Sequence, residues 1–106
     1  MIDAAAVGEI IAQYEKHGWT PRRALLSDAG KKAWSQVLQQ LEIVDSDIDA
    51  LWFWRKSQPD TEAWELRRLS ELPFALIAVV SATADAEEVE TTLSQVVEDM
   101  RERTIA

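Results

Sequence analysis

Residues Asp45–Leu69 read DSDIDALWFWRKSQPDTEAWELRRL, and three structures compete for the stretch: a calcium loop, an aromatic binding surface and a hairpin. Asp45, Asp47 and Asp49 fall on the first three ligand positions of an EF-hand loop. The sixth position of such a loop needs glycine for its sharp turn and holds Ala50; the twelfth needs a bidentate glutamate and holds Lys56. A cation where the strongest anion belongs removes the calcium reading. The aspartates read instead as turn formers. What remains is two alternating, aromatic-rich runs flanking SQPD, the pattern of a hairpin. With Ser57–Asp60 as the loop, Lys56 faces Thr61, Trp54 faces Ala63, Phe53 faces Trp64, Trp52 faces Glu65 and Leu51 faces Leu66. Strand alternation then places Leu51, Phe53, Trp64 and Leu66 on a core-facing side. The other side carries Ile48, Ala50, Trp52 and Trp54 opposite Ala63, Glu65 and Arg67.

Outward from the hairpin, SELP makes the next turn and FALIAVVSA the next strand. Counting across Ser70–Pro73 sets Ala75, Ile77 and Val79 on the core side and Phe74, Leu76, Ala78 and Val80 on the tryptophan side. A strand apolar on both sides is the pattern of a central or doubly covered strand. Asp85 with Glu88 is a variant capping box, and Val89, Leu93, Val96 and Met100 continue as a helical stripe to about Arg103. Upstream, Asp3 can cap a helix over 3–17 whose stripe is Val7, Ile10, Ile11 and Tyr14, with Gly18 as its left-handed terminator. Arg22–Ser27 read as a strand, although Thr20-Pro21 could also start a helix. Trp34, Val37, Leu38 and Leu41 form the stripe of a second helix from about 29 to 42. The order is α-β-α-β-β-β-α: one α+β domain over residues 1–106. Its sheet is an antiparallel meander of three strands, four if the first joins, packed by three helices.

At 106 residues the chain buries roughly two-thirds of its unfolded surface on folding, and 47% apolar residues supply the core. Cysteine is absent, which removes disulfides, thiolate zinc sites and a cysteine nucleophile and fits a reducing compartment. Asp3 and Glu9 stand where a signal peptide would be basic and then apolar. The longest apolar run, Phe74–Val80, is far short of a bilayer span. The expectation is a cytoplasmic chain without membrane contact. A net charge of −8 repels phosphate backbones. The basic segment, Arg22, Arg23, Lys31 and Lys32, is too dispersed for a nucleic-acid footprint.

Catalytic signals are absent. Glycines 8, 18 and 30 stand alone, so no Gly-rich phosphate loop forms. His17, the single histidine, falls at the end of the first helix, where a cation complements the dipole, and no nucleophile or orienting acid is marked for it. DAEEVE is a dipole-favoured first turn. No catalytic residue, cofactor or metal ligand is assigned, and a non-enzymatic role is favoured.

Five tryptophans are the compositional oddity. Trp34 and Trp64 fall on core stripes, and Trp19 follows a helix cap. Trp52 and Trp54, two apart on one side of a strand, carry the functional question. A helix covers them; or they centre a homodimer or partner interface with Leu76, rimmed by Glu65 and Arg67. In the third reading they floor a small-molecule site beside that carboxylate and guanidinium. The favoured function is protein interaction or self-association through this aromatic face; the alternative is a small-molecule-binding or weakly marked catalytic domain using Trp52, Trp54, Glu65 and Arg67. In size and acidity the chain is also similar to type III secretion chaperones. That resemblance is compositional, supplies no site residues, and implies a dimer that holds an extended basic or apolar segment.

Overall fold

The structure, a computed structural model, describes residues 1–105. Eight elements follow one another: α1 Ala4–Lys16, β1 Thr20–Leu26, α2 Asp28–Trp34, β2 Glu42–Asp45, β3 Ala50–Gln58, β4 Thr61–Arg68, β5 Ala75–Ser81 and α3 Ala86–Ile105. The strands form one mixed sheet in the order β2-β1-β3-β4-β5. β2 runs parallel to β1, and every other neighbouring pair is antiparallel. The α+β class and the meander β3-β4-β5 agree with the sequence reading.

Helix boundaries follow their caps. The Asp3 carboxylate accepts from the Ala6 N–H at 2.8 Å, and α1 ends before Gly18, whose φ of 87° only glycine adopts without strain. The Asp85 carboxylate accepts from the Glu88 N–H at 2.8 Å and starts α3.

The second helix is a correction. α2 stops at Trp34 instead of running to about 42, residues 35–40 are turns, and a strand that the sequence reading does not assign, Glu42–Asp45, follows. Its periodicity was real, since Trp34 and Leu38 are buried in the core. β1, however, has an open edge, and Ile43 and Val44 register on it beside Ala24 and Leu25. Pairing with that edge outweighs local helical preference, which is only a weak prior.

The hairpin register is the second correction. The turn is only Pro59-Asp60: Gln58 pairs with Thr61, and Lys56 pairs with Glu62. Ser57 is the extra residue of a bulge. Trp54 therefore faces Trp64, Phe53 faces Glu65, Trp52 faces Leu66 and Leu51 faces Arg67. A slip of one residue turns every β4 side chain to the other face. Trp64 and Leu66 thus join Trp52 and Trp54, while Glu65 and Arg67 join Leu51 and Phe53.

Two cores result, one on each face. Val7, Ala24, Leu26, Trp34, Leu38, Leu51, Phe53 and Leu69 pack beneath α1 and α2. Leu25, Ile48, Ala50, Trp52, Leu66, Leu93 and Met100 pack beneath α3. The covers are offset: α1 and α2 lie against β1, and α3 lies against β4 and β5. No described helix is long and apolar enough to cross a membrane.

Candidate interaction surface

Trp52 is 1% exposed. It lies beneath α3 with its ring edge-on to Trp64, centroids 6.1 Å apart. Leu76 packs against the same cluster. Trp54 is half-buried further along β3, where the Arg22 guanidinium sits 4.3 Å above its ring. Glu65 and Arg67 project from the opposite face, because the Ser57 bulge sets the β3–β4 register. The five residues singled out in the sequence therefore divide into Trp52, Trp54 and Leu76 on the α3 side and Glu65 and Arg67 on the α1 side. They do not form one surface.

The α1 side of β5 stands uncovered, next to the half-buried Glu65 and Arg67 of β4. Tyr14 of α1 marks its border. The phenol ring stacks on Phe53 at 3.9 Å, with 10° between the planes, and its hydroxyl donates to the Glu65 carboxylate. Burial first, and then this bond to an anion, push the Tyr14 pKa well above the usual tyrosine value. The Arg67 guanidinium donates to the Arg68 carbonyl. With Ile10, Gln13 and Tyr14, Arg67 lines a groove of about 350 Å³ along α1.

Beyond that border stand the side chains that the sequence reading assigned to the core. Ile77 and Val79 are each 59% exposed, and Ala75 is exposed beside them. β5 faces α3 with Leu76, Ala78 and Val80, and on its other face no helix answers Ile77 and Val79. An apolar pattern on both sides had pointed to double covering; the missing signal was position, because the last strand of a meander is a sheet edge.

The remaining candidates are spoken for by neighbours. Asp45 pairs with Lys31 and Asp47 with Arg101. The Asp49 carboxylate accepts from the Ser27 N–H at 2.8 Å and from its hydroxyl at 3.0 Å. The three aspartates of the calcium-like pattern thus hold separate joints of the fold. No group of three or more His, Cys, Asp or Glu among the described residues is placed to hold a metal. His17 caps α1, its ring 3.1 Å from the Gln13 amide nitrogen. A second groove of about 350 Å³ runs between α3 and the β1–β2 side, lined by Arg23, Trp52, Glu90 and Arg101 among others. Arg23 bridges Glu42 at 2.8 Å and Glu90 at 2.6 Å across it.

Comparison of the chain with protein-family models, curated proteins and solved structures found no match.

Proposed function

We propose that the protein is a non-enzymatic interaction module that self-associates through the uncovered β5 part of its sheet, in the reducing cytoplasm that a cysteine-free chain suits. The observation that carries this reading is the exposure of Ile77 and Val79, each 59% accessible, side by side on a sheet face next to Glu65 and Arg67. An apolar centre with a charged rim is the make-up of a protein interface. Adjacent exposed β-branched side chains on a sheet are also an aggregation liability unless covered. Trp52 and Trp64 keep a part in this reading, as the floor beneath α3 on which β3 and β4 rest.

The test is solution mass by light scattering over a range of concentrations, for wild type and for Ile77→Lys/Val79→Lys, with circular dichroism to verify the fold. A wild-type dimer that becomes a folded monomer in the variant supports the reading. A wild type that is monomeric throughout, or a variant that still associates, overturns it. A second reading, small-molecule binding, has the groove between α1 and Arg67 in its favour, with a volume of about 350 Å³, at the lower end of ligand pockets. A ligand thermal shift abolished by Arg67→Ala, with association unchanged, would put that reading first.

A further inference from the structure

We infer that β5 pairs antiparallel with β5 of a second copy about a two-fold axis at Ala78, joining two sheets into one continuous sheet. This rests on the self-association reading and gives it a partner, a strand and a register.

β5 is one end of the sheet, and it lacks the devices with which proteins blunt a free edge: shortness, charge, proline or a bulge. It spans seven residues, Ala75–Ser81, none of them charged. The stretch Leu72–Ala84 around it is the longest in the chain without a charged side chain. In a chain of net charge −8, most surfaces repel a second copy. β5 is the strand that can lie against itself without setting like charges opposite one another.

The geometry is self-complementary. A two-fold axis perpendicular to the sheet keeps α3 on the same face in both copies, so each residue meets one of the same parity. Centred on Ala78, the register overlaps the whole strand: Ala78 faces Ala78, Ile77 faces Val79, Leu76 faces Val80 and Ala75 faces Ser81. The exposed Ile77 and Val79 then become cross-strand β-branched pairs, which stabilise antiparallel sheets. The same axis sets the two α3 helices antiparallel. A single-strand contact is smaller than the ~1,600 Å² of a standard interface, so the dimer dissociates on dilution.

The absence of cysteine makes the register testable. Residues opposite one another in an antiparallel pair have Cα atoms about 4.5–5.5 Å apart, within disulfide range. Ala75 and Ser81 are both exposed and face each other across the proposed axis. Ala75→Cys and Ser81→Cys are prepared separately, mixed, oxidised and run on a non-reducing gel. The expected result is a covalent dimer in the mixture and none in either variant alone, since like positions lie roughly 20 Å apart at ~3.3 Å per residue. Equal cross-linking of each variant with itself, or no mixture-specific product, overturns the pairing. If wild type still dimerises and Ile77→Lys/Val79→Lys still abolishes the dimer, the interaction reading survives that failure. A wild type that is monomeric by light scattering overturns both.

Discussion

The two edges of this sheet are built differently. β2 is four residues long, Glu42–Asp45, with an acid at each end. Glu42 is held by Arg23 of β1, and Asp45 by Lys31 of α2. An incoming strand would meet two carboxylates in a short ladder. β5 is nearly twice as long and uncharged, and its Ile77 and Val79 face solvent. A bare edge of this kind is a template on which a further strand can pair. Both edges flank strands that reach the core beneath α3, β1 through Leu25 and β4 through Leu66, and they differ in surface chemistry.

Trp52→Ser should have the largest effect and would undermine both edges together. It removes a buried indole beneath α3, and comparable losses cost about 3–5 kcal/mol. Urea denaturation should show a midpoint well below wild type. A variant as stable as wild type would mean that Trp52 is not structural and that the aromatic face deserves its interface reading after all. Gly30→Ala should strike the β2 side alone. A Cβ there would overlap the Asp49 carboxylate and crowd Trp34 at 3.2 Å, an overpacking that costs about 1–3 kcal/mol. Amide exchange should speed up in α2 and β2 while β5 keeps its protection; uniform loss would show the two sides to be one cooperative unit.

Glu42→Val/Asp45→Val makes β2 resemble β5. Exposed ion pairs contribute only about 0–1 kcal/mol, so stability should change little. Light scattering should instead show more association than wild type as concentration rises. Unchanged solution mass would mean that shortness, not charge, protects β2. The smallest effect is that of pH. The hydrogen bond from Arg23 holds the Glu90 carboxyl below the usual glutamate value, and that from Arg101 does the same for Asp47. Groups with a depressed folded pKa contribute stability that is complete above their unfolded values, ~4.3 and ~3.9, and is lost as pH falls through the folded ones. The melting temperature should therefore drop on acidification below about pH 4, and less steeply in Glu90→Gln. Identical slopes would remove Arg23–Glu90 as an acid-sensitive link between α3 and β1.

Much of the fold was legible because it depends on neighbours in sequence. Asp3, Gly18 and Asp85 set helix ends through bonds or dihedrals within a few residues, and α1, α3 and the β3-β4-β5 meander follow their stripes. β2 follows directly on a helical stripe and has no strand pattern of its own, because its reason for being extended is the edge of β1, some twenty residues away. The site was less legible. Trp52, Trp54, Glu65, Arg67 and Leu76 were grouped by counting outward from a four-residue loop, and the Ser57 bulge, which no residue pattern announces, moved two of them to the other face. Ile77 and Val79 carry the apolar pattern of a core side, and only the edge position of β5 sets them in solvent.

Local pattern is enough for the α+β class, the ends of α1 and α3, the antiparallel hairpin after Asp49 and the mismatch with a calcium loop at Ala50 and Lys56. All of these rest on spacing, caps and local stereochemistry. Tertiary structure alone decided the β3–β4 register, the parallel β2 edge and which part of each sheet face a helix covers. Those outcomes depend on one bulged residue and on the competition of distant segments for a limited surface. A period of two or 3.6 says which side chains share a side, and only packing says what lies across from it.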